Sequence, residues 1–450
     1  MATGTSGRLS GSSTNSSTGL GQGIDVTQFV QLAMSFDQAN ITAVQNQQSN
    51  LANQSKALAQ ISSELSALQD SAYALGDPLG ALNALTASSS DTSIVSATAG
   101  SAAVSGSHSI TVNSLATTSS YYTSAVASSS TPLATGSFQF AVGSGGPQTV
   151  TITSSNNTLD GLAASINKLS AGVRASVIND ANGARLALVS ETSGAPGDVT
   201  VSNNSSGLTF TKAVTGLNAS LVVDGVPVSS STNTVSGVIN GVTLSLGSPN
   251  PNQTVTVNVA PDNTQATNAI NQFVSNYNTA IKDINAQFAV PGDGTAPPLE
   301  SDGSLREAQQ LLLGAIAYST SGNSGIVNLS SIGVNLNNDG TLSVNSAQLQ
   351  TALSSNNSAV QSFLQNTGTG FGQNLSTVLT NINSPGSGIL GLDANGITNT
   401  SQSLAQQLTD LQVAFNTKQA NLILVYSQVN ATLQELPLLQ SQTQQQLAGA

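Results

Sequence analysis

Two stretches of seven-residue apolar periodicity, one near each end of the 450-residue chain, restrict its fold more than any other feature. In the first, Leu51, Leu58, Leu65 and Ala72 repeat at one position and Gln54, Ile61, Leu68 and Leu75 at the other. Side chains three and four residues apart stack on one helical face, so this seam predicts a coiled-coil-like helix. Upstream, Phe29, Leu32, Ala33, Phe36 and Ala43 keep helical spacing, but Asp37, Asn40 and Gln47 interrupt the downstream register. Near the C-terminus Leu404, Leu408, Leu411, Phe415, Leu422, Val425, Val429 and Leu436 follow the same alternation, broken at Lys418, and Pro437 is expected to kink or end the helix. Narrow stripes of this kind stabilise a helix only against a partner. The two ends are therefore expected to pack against each other, which makes the termini neighbours and everything between them an insertion.

That insertion differs in kind. From about residue 93 to 262 the chain is rich in Thr, Val and Ser, alternates in hydrophobicity ("HSITVNSLA", "GSFQFAVG", "NQTVTVNVA") and is punctuated by Gly, Asn and Pro. This pattern predicts antiparallel sheet. One helix interrupts it, with Thr158 as N-cap and Leu159, Leu162, Ala163 and Ile166 on its apolar face. Helical spacing returns at Thr264, where Ile270, Phe273, Val274, Tyr277, Ile281 and Ile284 form a stripe ended by a loop from Pro291 to Pro298. A helix at Leu305 to Ala317, a hairpin turning at Asn338 to Gly340, and helices near Ser346 to Leu353 and Gly372 to Ile382 complete the expected order.

Composition excludes several kinds of function. Nine Lys and Arg against 21 Asp and Glu give a net charge of −12 with no basic cluster, which argues against nucleic acid as a partner. The chain has no Cys, so neither thiolate metal sites nor thiol catalysis is available. The polar start lacks the apolar core of a signal peptide, and no run nears the ~18 apolar residues of a membrane span, so no membrane insertion is expected. Residues 1–18 are expected to be a disordered tail.

Candidate chemical sites fail on spacing. Gly19, Gly21 and Gly23 precede a helix, but the third glycine falls one residue early for a dinucleotide loop and no strand comes before it, so the run reads as a hinge. His108 is the single histidine, has no neighbouring carboxylate in sequence, and reads as a surface strand residue. Two "DANG" tetrads, Asp180 to Gly183 and Asp393 to Gly396, lack the ligand spacing of a calcium loop and read as turns. No catalytic, metal or cofactor-binding residue is singled out, and no cofactor is expected.

Four blocks in order carry a resemblance that spans nearly everything from Gly19 onward. The opening "GLGQGIDVTQFV" resembles the start of the flagellar hook-associated protein 2 family, the filament cap proteins. The segment "TLDGLAASINKLSAGVRASVINDANGARLALVSETSG" is similar to the hook IN motif, with Ile166 and Asn167 as its namesake pair. "ASLVVDGVPVSSSTNTVSGVINGVTLSL" followed by "INQFVSNYNTAIKDI" resembles the start of the family's C-terminal region, including Asp224, Gly225, Asn233, Gly241, Tyr277 and Asn278. "LSSIGVNLNNDGTLSVNSAQLQTAL" is similar to its late hairpin and helix.

The resemblance implies an α+β multidomain chain with antiparallel N- and C-terminal coiled-coil-like helices, a helical body, and a protruding β-rich insertion of two small domains. The expected division is a tail at 1–18 and legs at 19–45 and 425–450, with a body at 46–92 and 263–424. An inner β domain is expected at 93–133 and 216–262 and an outer one at 134–215. The implied role is a non-enzymatic cap at the flagellar tip that promotes flagellin insertion and prevents its loss, exported through the flagellar type III apparatus. Implied partners are further copies in a ring-like homo-oligomer, flagellin, the neighbouring hook-associated junction protein and a cytoplasmic export chaperone. A tip adhesin for mucin or a host surface, or another junction protein, is the alternative. Leg docking contacts are expected at Ile24, Asp25, Val26, Phe29, Leu32, Phe36, Leu422, Val425, Val429, Leu433 and Leu436. The helical seam is expected at Leu51, Leu58, Ile61, Leu65, Leu68, Leu75, Leu404, Leu408, Leu411 and Phe415.

Overall fold

A computed structural model describes residues 25–289, 292, 294 and 296–448. The tail at 1–18, the glycine run ending at Gly23, Ile24 and Pro291 lie outside the described residues. The arrangement is the expected α+β one, with long helices from both ends of the chain and a β-rich centre.

Helix α1 (Val26–Gly76) opens on Asp25, whose carboxylate accepts the Gln28 N–H at 3.1 Å and satisfies one of the orphan donors of the first turn. It packs against the last helix, α8 (Ile389–Ala448), and toward its C-terminal end against α3 (Asn263–Phe288) and α7 (Phe371–Asn383). With α2 (Leu159–Leu169) in the β-rich centre, the remaining helices are α4 (Gly303–Ile316), α5 (Ser346–Ser355) and α6 (Asn357–Gln365). One core holds the helical part together. Leu58, Ile61, Leu65, Leu68 and Leu75 of α1 meet Phe273, Tyr277 and Ile281 of α3 and Phe371, Leu375 and Leu379 of α7. Sequence reading missed α6 and the first turns of α8. Both are short apolar patterns held by this core, with Val360, Phe363 and Leu390 buried in it.

The β-rich centre has two further cores. In the first, an antiparallel sheet in the order Leu85–Ser89, Val255–Pro261, Gly106–Ser114, Ala219–Val223, Val226–Ser230 faces a smaller one ordered Thr234–Ile239, Val242–Leu246, Val95–Ala99. Val255, Val257 and Val259 point inward and Thr256 and Asn258 outward, the period of two that half-buried strands require. In the second, Phe210–Val214, Thr118–Thr123, Gly183–Ser193 and Val173–Asp180 form one sheet and Gln148–Ile152, Gly136–Val142 and Val199–Ser202 another. Helix α2 fills the gap, capped by Thr158, which accepts the Gly161 N–H at 3.0 Å, and buries Leu159, Leu162, Ala163 and Ile166.

Four local readings are corrected. Thr118–Thr123 falls in the span expected for the inner β domain, yet it pairs with Gly183–Ser193 and Phe210–Val214 of the outer one. Leu85–Ser89, expected in the body, pairs with Val255–Pro261. Strand partners this far apart leave no mark on local composition. The tetrad Asp393 to Gly396 lies inside α8 and forms no turn, because Leu390, Ala394 and Ile397 pack on the body core at helical spacing and override the local turn preference. The other tetrad does turn, with Asp180 paired to Gly183 and accepting the Asn182 N–H at 2.7 Å. Pro437 does not end α8, which continues to Ala448. Most residues after it are Leu and Gln, good helix formers that re-establish the ladder one turn beyond the missing donor.

Candidate docking interface

The paired terminal helices present two kinds of apolar surface. On α1 the residues buried in its first half are Val30, Met34, Ile41 and Val44. With Asp37 included, their alternating four and three spacing continues through Gln48 to Leu51; a second consecutive step of three then reaches Gln54 and a step of four reaches Leu58, the first buried residue of the downstream seam. A short step in a heptad rotates the stripe about the helix axis. The phase change follows the change of partner, from α8 alongside the leg to α3 and α7 in the body.

This rotation decides the fate of the expected docking residues. Leu32 and Phe36 are 73% and 74% exposed, Phe29 is exposed, and Asp25 is an exposed cap; Val26 is half-buried. On α8, Leu404, Leu408, Leu411, Phe415, Leu422 and Leu433 are half-buried, whereas Val425, Val429 and Leu436 are exposed. Of the expected seam, Leu51 is half-buried and Leu58, Ile61, Leu65, Leu68 and Leu75 are buried. Sequence reasoning missed Val30, Met34 and Tyr426. The first two lie one phase away from the Phe29–Phe36 stripe, and Tyr426 approaches Phe29 with ring centroids 6.0 Å apart. Beyond Val429, α8 exposes Leu436, Leu438, Leu439 and Leu447. A helix apolar on several faces is unstable against water and calls for partners on more than one side.

The residues that carried the resemblance prove to be fasteners. Asn278 on α3 donates to the Leu342 carbonyl at 2.8 Å and accepts its N–H at 2.6 Å, an amide standing in for a neighbouring strand. Asn167 treats Ala175 in the same way, at 2.8 and 2.7 Å, and Asn233 treats Ala116, at 3.0 and 2.7 Å. Tyr277 donates its hydroxyl to the Gly340 carbonyl at 2.8 Å, and its buried ring pushes the phenol pKa up. In a chain that is only 7% charged, side-chain amides do the tying that ion pairs do elsewhere. Replacing Asn278 by Ala strands an N–H and a carbonyl of the Leu342 hairpin and is expected to cost about 1–3 kcal/mol, read as a lower urea midpoint of the helical body with unchanged m.

His108 lies in the strand Gly106–Ser114, half-buried rather than fully at the surface, and a carboxylate distant in sequence partners it. Its Nδ1 lies 2.8 Å from Asp224 Oδ2, and the Ser109 N–H donates to the other carboxylate oxygen at 2.8 Å. The His108 hydrogen bond, reinforced by Ser109, holds the Asp224 carboxyl below the usual range. Asp224 and Gly225, both with positive φ, form the tight turn between Ala219–Val223 and Val226–Ser230, so the dyad ties that turn to the adjacent strand. Among the described residues, no three His, Cys, Asp or Glu side chains come together as a metal site.

Two carboxyl pairs make the body sensitive to pH. Burial, reinforced by a hydrogen bond with Asp283 and opposed by the Gln60 amide, pushes Glu64 up to about 7. Burial and the neighbouring Asp302 likewise push Asp393 of α8 up to about 6. Two carboxyl groups bond each other only through a shared proton, so each pair favours the folded state while protonated. Their contribution is present below the ordinary carboxylate range and is lost as pH rises through about 6 to 7. Glu64→Gln is therefore expected to raise the body's melting temperature relative to the unaltered chain at pH 8 and not at pH 4. Parallel shifts at both values would remove Glu64 as the cause.

Comparison with known proteins agrees with this anatomy. Residues 22–119 match the family described as "Flagellar hook-associated protein 2 N-terminus", residues 216–437 its C-terminus, and residues 137–192 the "Flagellin hook IN motif". The B-type flagellar hook-associated protein 2 of Pseudomonas aeruginosa is 30% identical over 339 residues, 68% of this chain and 71% of that protein. The Escherichia coli K12 flagellar hook-associated protein 2 is 30% identical over 162 residues, covering 35% of this chain and 34% of that protein. The crystal structure of the D1-D2-D3 domains of the Escherichia coli flagellar cap protein superposes with a TM-score of 0.58 at 27% identity, covering 76% of this chain and 99% of the other. No described helix is long and apolar enough to cross a membrane. With both terminal regions and the IN insertion matched in order, the chain belongs to the flagellar hook-associated protein 2 family.

Proposed function

We propose that this chain caps the tip of a growing flagellar filament, where it guides flagellin into place and keeps it from escaping into the medium. Besides family membership, the carrying observation is the apolar strip of Phe29, Leu32 and Phe36, which stays exposed while the opposite face of the same helix is buried. A docking leg needs such a spare face, and a shallow one suits contacts that form and release at every added subunit. The exposed strip on α8, with Val425, Val429 and Leu436, serves the same purpose. The working unit is a ring-like homo-oligomer of several copies, assembled next to the hook-associated junction protein after export by the type III apparatus with a cytoplasmic chaperone. The helical ends are the legs, the Leu65 core the body, and the two β cores the inner and outer parts of the plate.

The test replaces Leu32 and Phe36 by Ser. Because both are exposed, the purified variant is expected to melt with the unaltered chain. Cells carrying it are expected to bear short filaments by electron microscopy and to leak flagellin. Full-length filaments without leaked flagellin would sink the docking role of this strip, and the same result in cells lacking the chain altogether would sink the cap assignment.

A further inference from the structure

Seven-residue apolar repeats have a weakness: sliding one helix past the other by seven residues puts apolar on apolar again. The leg pair of α1 and α8 carries a feature that breaks this degeneracy. Among the positions that α1 turns inward, Val30, Met34, Asp37, Ile41 and Val44, only Asp37 is charged. It is half-buried, and Lys418 of α8 donates to its carboxylate at 2.7 Å. The same Lys418 breaks the C-terminal periodicity read from the sequence; it is itself exposed, next to the half-buried Gln419, so the charged position that α1 turns inward is met by a cation whose own site is open to water.

The register follows from two contacts. Phe29 meets Tyr426 and Asp37 meets Lys418, so eight residues forward on α1 correspond to eight residues back on α8. A slip of seven would set Asp37 against Leu411 or Val425 and Lys418 against Val30 or Val44. Either way, the half-buried carboxylate loses the cation it bonds in the native register. A partly exposed ion pair adds little to the native register, but a half-buried carboxylate left among apolar side chains without its cation penalises the wrong one. A polar group at one seam position of a coiled coil acts in this way, costing some stability and choosing one alignment.

We propose that the Asp37–Lys418 pair is the register-selecting element of the leg, the contact that decides which residues of α8 stand beside which residues of α1. The inference does not depend on the capping role. It concerns how the two chain ends find one alignment, and so which exposed strip of one helix lies beside which strip of the other.

The chain lacks Cys, which makes the test direct. In the full-length protein Phe29→Cys with Tyr426→Cys reports the native alignment, and Phe29→Cys with Leu433→Cys reports a slip of seven. Each pair is oxidised at high dilution, and the intramolecular disulfide is quantified by non-reducing electrophoresis and peptide mass. With Asp37 and Lys418 in place the native pair is expected to dominate. Either Asp37→Lys or Lys418→Asp alone is expected to shift the ratio of native to slipped cross-link by about fivefold or more, and the double exchange Asp37→Lys/Lys418→Asp is expected to restore it. Should a single exchange part the helices entirely, both cross-links fall together, and their recovery in the double exchange supports the proposal equally. An unchanged ratio in both single exchanges, or a double exchange that fails to restore the native cross-link, overturns it.

Discussion

Leu65→Asp is expected to destabilise the helical body by about 4 kcal/mol while leaving both β cores folded. Leu65 is 0% exposed at the centre of the core shared by α1, α3 and α7. The substitution removes about 2 kcal/mol of apolar burial and places a carboxyl in a core built of Leu, Ile and Phe side chains. The group will stay protonated or open the packing, and either route costs a further share. Since folded domains have only about 5–15 kcal/mol in hand, calorimetry should show one transition falling sharply and the β transitions staying in place. Leu32→Asp on the same helix is the control. At 73% exposure it should move the body transition by less than about 0.5 kcal/mol. Equal effects at the two positions would show that Leu65 is not in the core.

Gly241→Val is expected to cost about 3 kcal/mol in the inner β core, whereas Gly225→Asn should be tolerated within about 1 kcal/mol. Both glycines sit in tight turns with positive φ, +68° and +83°. They differ in what surrounds them. A Cβ at Gly241 would lie 2.1 Å from the Ala103 nitrogen and 2.4 Å from the Ala102 carbonyl carbon, so the neighbouring backbone would have to move. That backbone is pinned by Gly100 N–H donating to the Gly241 carbonyl at 2.8 Å and by the Asn240 amide donating to the Ala102 carbonyl at 3.0 Å. A Cβ at Gly225 meets nothing within 4 Å, and Asn adopts the left-handed region more readily than other residues. Denaturant titration of the two variants separates them: a shared small loss would mean the strand ends yield at Gly241, and a shared large loss that turn conformation alone governs both.

The contrast between these glycines shows what kind of information local sequence carries. "DGV" and "NGV" both announce tight turns between alternating strands, and both turns form. That one is crowded and the other open depends on the segment from Gly100 to Ala103, more than a hundred residues away in the chain. The asparagines behave alike. Asn167, Asn233 and Asn278 stood out through resemblance alone, and each became intelligible only when a distant backbone, at Ala175, Ala116 and Leu342, came within reach of its amide. His108 is a further case, since the carboxylate that orients it comes from Asp224.

Helix content, strand alternation, the caps at Asp25 and Thr158 and the absence of thiol chemistry were legible in the chain itself, because period and capping are written within one or two turns of backbone. The facing of the legs was not. Phe29, Leu32 and Phe36 form as good a stripe as Val30, Met34, Ile41 and Val44, and periodicity weighs both alike. Burial of a helix with two apolar faces is settled by what lies beside it. Here α8 covers the second face, and the Asp37–Lys418 pair marks where the two helices meet. The strip left over, Phe29, Leu32 and Phe36, expected from sequence among the docking contacts, stays exposed because α8 lies along the other face.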